Sequence, residues 1–183
     1  MDKRQWRAQL LAARRAVPPE VRAEEAAALA RAMRRLTGTV CAYHPVGTEP
    51  GSTAVLDALR DGGARVLLPV VDGTGPLDWA VDTGEFRPGP WGLLEPTGPR
   101  LGPAAVATAA VVLVPALAVA RDGVRLGRGG GYYDRSLALA GDGTALIAVV
   151  RDEELVDALP HEPHDVRMSA AITPRRGLLP LRP

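Results

Sequence analysis

The 183-residue chain has a single cysteine, Cys41, so it can form no intramolecular disulfide and offers no cysteine cage for a metal. Cys41 sits in an apolar strand pattern, the setting of a buried, inert thiol. Apolar runs of membrane-spanning length free of charge and proline are missing, and the opening MDKRQWRAQL lacks the apolar stretch of a signal peptide. The expected location is cytoplasmic. An excess of one charge is missing too: the formal net charge is +1, which excludes a generic nucleic-acid binder and favours a small-molecule partner. Lysine is nearly absent. Lys3 is the only one, every other cationic side chain being arginine, and a lone ammonium at the start of an amphipathic helix hints that a compact point charge is wanted there. No internal repeat is visible.

What remains is an ordinary globular composition, 46% apolar and 23% charged, with enough chain for one core. The expectation is one domain over residues 1–183, with two N-terminal helices over about 2–36 packed on an α/β core. The first helix, Asp2 to Ala16, has Trp6, Leu10 and Leu11 on one side and arginines elsewhere. A second starts at Pro19 and carries Val21, Ala28, Leu29 and Met33 toward a stop at Gly38. Strands follow at 39–43 and 64–71 around a helix over 52–60 capped by Ser52 or Thr53, with a short edge strand at 77–81. The segment 83–103, dense in glycine and proline, is expected to form an ordered irregular loop over a site. The run 109–120 has the character of a doubly buried strand interrupted at Pro115. A helix over 132–140, a strand over 144–150 and a helix capped by Asp152 complete the pattern. Such alternation predicts an α/β fold, three-layer α/β/α, with a largely parallel sheet and ligands at the carboxyl ends of its strands.

Arg125-Leu126-Gly127-Arg128-Gly129-Gly130-Gly131-Tyr132-Tyr133-Asp134-Arg135 follows that buried run. Glycines at 127, 129, 130 and 131 let backbone N–H groups approach an anion, and Arg128 adds a fixed charge. The same glycines could serve only tight strand-to-helix packing. No Gly-Lys-Ser/Thr closes the loop, so it is not a Walker A loop.

Asp134 would repel a nearby phosphate unless magnesium intervenes; the alternative is a carboxylate favoured by a helix N-terminus. Asp165 lies in His161-Glu162-Pro163-His164-Asp165, where Pro163 keeps the two histidines off one helical face and disfavours zinc. A second, water-mediated magnesium contact competes there with a solvated turn. Glu49, after a strand in Tyr43-His44-Pro45-Val46-Gly47-Thr48-Glu49, can accept from a heterocycle rich in N–H groups or be a loop charge. Tyr132, Tyr133, Trp79 and Trp91 can stack on a ligand or simply pack.

The run from Val114-Pro115-Ala116-Leu117-Ala118-Val119 into Arg125 through Arg135 resembles the signature of the 5-formyltetrahydrofolate cyclo-ligases, also called methenyltetrahydrofolate synthetases. Lys3 and Arg7, Tyr43 through Glu49, Leu67 through Val71, Gly92-Leu93-Leu94-Glu95-Pro96, and Asp165 ahead of Ile172-Thr173 extend the similarity over almost the whole chain. The resemblance implies a three-layer fold like that of sugar-phosphate isomerases and CoA-transferases, and ATP- and magnesium-dependent conversion of 5-formyltetrahydrofolate to 5,10-methenyltetrahydrofolate by a monomer. It implies that Lys3, Arg7 and the loop Arg125 to Tyr133 hold ATP, with Lys3 and Arg128 acting in catalysis. His44, Glu49 and Arg128 to Tyr132 would contact the folate, and Asp134 and Asp165 the magnesium. A sugar-phosphate isomerase, or a non-catalytic sensor of a phosphorylated metabolite, is the alternative such a fold also supports.

Overall fold

The computed structural model describes residues 1–182. Helix α1 (Lys3–Arg15) is opened by a capping box in which Asp2 accepts from the Gln5 amide and Gln5 reaches back to the Asp2 amide. Helix α2 (Pro19–Met33) starts with proline at its first position, where a missing N–H costs nothing. It ends before Gly38, and the chain turns into β1 (Thr39–Cys41), α3 (Ala54–Asp61), β2 (Arg65–Val70) and β3 (Asp78–Val81). Ser52 is the side chain that serves α3, its hydroxyl accepting from the Ala54 amide.

Within the glycine- and proline-rich segment, β4 (Phe86–Pro88) and β5 (Leu94–Pro96) pair antiparallel. The segment expected to be irregular is thus a small hairpin, its ladder short enough for prolines to sit at the strand ends. The apolar run 109–120 is two strands, β6 (Val111–Pro115) and β7 (Ala118–Ala120), in different sheets. Beyond lie β8 (Arg125–Leu126), α4 (Tyr132–Leu137), β9 (Ala145–Val149), β10 (Leu155–Val156), β11 (Ala170–Thr173) and β12 (Gly177–Pro180).

The main sheet has seven strands in the order β12-β11-β9-β6-β1-β2-β3. Its centre is parallel, and only the edge strands β12 and β3 pair antiparallel. Period-two alternation splits each strand between two cores. Val40, Val66, Leu68 and Leu113 pack with Leu29 and Met33 of α2 and Leu56 and Leu59 of α3. Cys41, Leu67, Val112 and Val114 pack on the opposite face with Trp79, Val106 and Leu137 of α4. Helix α1 packs Leu10 on a separate three-stranded sheet, β10-β7-β8, through Leu117, Ala118 and Leu126.

Two expectations need correction. Arg14, grouped by sequence with the exposed arginines, is buried on the same side of α1 as Leu10. Asp152 caps no helix; it lies inside a 3₁₀ turn, Asp152–Glu154, and its buried carboxylate accepts from Thr173 Oγ1 at 2.7 Å and the Arg175 amide at 3.0 Å. Burial opposes ionisation of Asp152, but these bonds and the Arg175 guanidinium outweigh it, so its carboxyl titrates below the usual aspartate range. A depressed carboxyl contributes stability above the unfolded-state pKa and loses it as pH falls through the folded-state value. Asp152→Asn is therefore expected to cost about 1.5–3 kcal/mol near neutrality. The melting difference from wild type should shrink in acid; a difference constant with pH would show that the charge contributes nothing.

Candidate active site

The order of strands in the main sheet has a physical consequence. From β1 the chain moves outward to β2 and β3, then returns to β6 on the other side of β1 and proceeds toward β12. Connections leaving β1 and β6 thus diverge, opening a crevice at their carboxyl ends. A cavity of about 890 Å³ lies there, lined by Tyr43, His44, Val46 and Glu49 from the β1 side, Pro115 to Leu117 from the β6 side, and the glycine loop.

One wall is cationic. Lys3 and Arg7, one turn apart on α1, both face the cavity, and Arg7 Nε donates to the Gly127 carbonyl at 2.9 Å. Gly129 (φ 106°) and Gly131 (φ 71°) hold left-handed conformations that side chains disfavour, so these two glycines are conformationally required. Leu126 is buried in the small core and also borders the cavity. Arg125 donates to the Pro115 carbonyl at 3.2 Å and to Asp134 at 2.8 Å, while its buried Nε finds no partner among the described residues.

Both expected magnesium ligands line this cavity, each already beside a cation: Asp134 with Arg125, and Asp165 with Lys3 Nζ at 2.9 Å. Burial raises the Asp165 carboxyl, but the Glu162 amide and Lys3 outweigh it and hold it below the usual range. Glu162, His164 and Asp165 place one donor atom each within 4.8 Å of one another, with His161 outside the group.

Another part of the lining is aromatic and aliphatic. His44 meets Phe86 edge-on at 5.3 Å, and Leu68, Leu93 and Leu94 add apolar surface, the leucines at 93 and 94 coming from the hairpin segment. Glu49 also lines the cavity. Its Oε2 accepts from the Val46 amide at 3.0 Å, and its Oε1 lies 3.5 Å from Arg128 Nε. Burial is the main cause that raises its carboxyl above the usual range.

The aromatic candidates separate. Trp79 is 0% exposed within the core, which removes it as a stacking surface. Trp91 is 75% exposed at the hairpin tip with φ 56°, and it is not part of the cavity wall. Tyr132 donates to the Gly73 carbonyl at 3.2 Å and has the Arg135 guanidinium 4.9 Å from its ring centre, so one ring face is already covered. Tyr133 turns inward; its buried hydroxyl has no partner among the described residues, and burial pushes its pKa up. Cys41 is fully buried and pushed up to about 12, in keeping with an inert thiol.

Sequence reasoning missed Arg14 and Phe86 as cavity residues. Arg14 had a usable signal: Trp6, Leu10 and Arg14 recur every fourth residue, which lines them along one helical face. Phe86 had none, because nothing local announces the hairpin.

The profile of the 5-formyltetrahydrofolate cyclo-ligase family matches residues 1–174. A 5-formyltetrahydrofolate cyclo-ligase of Mycolicibacterium smegmatis (strain ATCC 700084 / mc(2)155) is 51% identical over 194 aligned positions, spanning 99% of this chain and 98% of that protein. Among solved structures, the 5,10-methenyltetrahydrofolate synthetase of Aquifex aeolicus superposes with a TM-score of 0.82 at 24% identity, covering 100% of this chain and 94% of that one. The synthetase of Mycoplasma pneumoniae gives 0.74 at 20% identity, covering 93% and 98%. These two likenesses establish the shared α/β architecture. With a cavity at the strand switch point, a cationic glycine loop on one wall and a match that runs nearly end to end, the chain is an enzyme that belongs to the 5-formyltetrahydrofolate cyclo-ligase family.

Proposed function

We propose that the enzyme converts 5-formyltetrahydrofolate to 5,10-methenyltetrahydrofolate with ATP as co-substrate, releasing ADP and phosphate. The observation that carries this reading is the mixed lining of one cavity: Lys3, Arg7, Arg125 and Arg128 with the glycine loop form a cationic wall, Leu68, Phe86, Leu93 and Leu94 an apolar one, and Glu49 belongs to the same lining. Phosphates suit the first wall and a pterin ring the second.

The formyl group is an amide on N5, so resonance makes its carbon a poor electrophile. Its oxygen would have to leave as hydroxide. Phosphorylating that oxygen solves both problems: the carbon becomes electrophilic and the oxygen departs as phosphate when N10 attacks. No covalent protein nucleophile is needed, only alignment and charge neutralisation. Lys3 and Arg7 would orient the triphosphate. Arg128 would meet charge that develops on the transferring group, and the apolar wall would exclude competing water.

Asp134 and Asp165 offer the hard oxygen donors that suit magnesium, and both face the cavity wall that carries the cations. They would hold the ion, which supplies charge neutralisation on the phosphate oxygens when bound. Arg125 and Lys3 now beside them would then be freed toward nucleotide.

The experiment is isotope transfer. A heavy-oxygen label in the formyl group is expected to appear in the released phosphate; label released to water instead would overturn the phosphorylation step.

A further inference from the structure

The reaction proposed above leaves one proton without a destination. N10 enters as a secondary amine and ends in a methenyl bridge with no N–H, so ring closure must deliver its proton to an acceptor. Five carboxylates line the cavity: Asp2, Glu49, Asp134, Glu162 and Asp165. Asp2 caps α1. Asp134 and Asp165 each lie within 3 Å of a cation, at 2.8 and 2.9 Å, and Glu162 is an outward-facing group beside Lys3 and His164. A carboxylate held by a fixed cation or open to water is a weak base.

Glu49 differs from all four. Its side chain is 11% exposed, one oxygen is anchored by a backbone amide, and the other has only the long 3.5 Å contact with Arg128, whose own side chain is 52% exposed. A shielded carboxylate thus lines the cavity, paired at long range with a half-exposed arginine.

Resting on the proposed reaction, we infer that Glu49 accepts the N10 proton, and that Arg128 arms it by leaving Glu49 for the transferring phosphoryl group. In the closing step the N10 lone pair attacks the formyl carbon of the phosphorylated folate. The carbon–oxygen bond breaks and its electron pair departs on phosphate. The N10–H bond pair stays with nitrogen to complete the methenyl bridge, and the proton passes to Glu49 Oε1.

The arrangement orders the two half-reactions. While Arg128 faces Glu49, its charge works against the effect of burial and lowers the carboxylate's basicity. Once phosphate draws Arg128 away, the carboxylate is left in a largely buried site and becomes the stronger base. Arg14 and His44 still favour its charge, burial opposes it, and the neighbouring Tyr43 and Tyr133 hydroxyls disfavour sharing negative charge with it. His44 is the rival acceptor: its Nδ1 lies 3.1 Å from the Pro45 carbonyl, so Nε2 is the ring nitrogen open toward a proton donor whenever the ring is neutral.

The test is a single turnover of the full-length enzyme with ATP, magnesium and 5-formyltetrahydrofolate, following ADP by rapid quench and methenyl-folate by absorbance. Glu49→Gln keeps an acceptor for the Val46 amide. Expected is ring closure slowed on the order of 10²–10⁴-fold, well beyond any change in the rate of ADP formation. The acid limb of the closure rate should vanish in Glu49→Gln, and added acetate should restore closure to Glu49→Ala. ADP and methenyl-folate falling in parallel with a raised folate KM, or an acid limb retained in Glu49→Gln, would overturn the inference, the latter in favour of His44. Wild-type enzyme that forms no methenyl-folate would remove the reaction itself; wild-type turnover with unimpaired closure in Glu49→Gln removes the inference alone.

Discussion

Arg128→Ala is expected to lower kcat on the order of 10²–10³-fold, about 2.7–4 kcal/mol of transition-state stabilisation, without lowering the melting temperature. Half-exposed, with a single ion-pair contact at 3.5 Å, Arg128 adds little to the fold. Its position in the glycine loop instead places a guanidinium where phosphoryl charge would spread. The split between constants decides the role. A change in kcat with an unchanged KM for ATP marks an interaction made in the transition state, whereas a raised KM alone marks uniform binding. An unaltered rate would take Arg128 out of the reaction.

The largest effect on stability is expected from Arg14. Its guanidinium donates to both oxygens of Glu154, at 2.6 and 2.8 Å, and to the Ala116 carbonyl at 2.6 Å, all buried. Glu154 also accepts from the Arg151 amide at 2.8 Å, and Arg151 forms a two-pronged pair with Glu25 of α2. One network therefore ties α1 and α2 to the point where the chain leaves β6 for the small sheet. Arg14→Leu leaves a buried carboxylate without its partner, a loss of about 3–5 kcal/mol, or roughly 6–20 °C in melting temperature for a chain of this size. Adding Glu154→Leu removes the stranded charge and should recover most of the loss. A single variant that melts with wild type, or a double variant no better than the single, would contradict this account.

Legibility from sequence followed range of contact. The glycine loop was readable because its determinants, four glycines and an arginine, are contiguous. Lys3 stood out as the lone lysine at the start of a helix, whereas Arg7 was singled out only by the family resemblance. Burial on both sides hid the break between β6 and β7, since hydropathy is equally apolar in the two sheets and only Pro115 marks the join. Asp152 looked like a cap because its actual partner, Thr173, is 21 residues away. The Arg14 and Glu154 pair spans 140 positions, and no local pattern announces a charge whose complement arrives so late. The cations beside Asp134 and Asp165 were individually visible as residues. Their pairing needed the fold to bring α1, β8 and the 161–165 turn to one cavity.

The proposed reaction is tested most directly by absorbance in the methenyl-folate band after mixing the enzyme with 5-formyltetrahydrofolate, ATP and magnesium, against controls that omit each. Growth that requires all three, with one ADP released per methenyl-folate formed, is the expected result. Growth without ATP, or none with the complete mixture and folded enzyme, would contradict it.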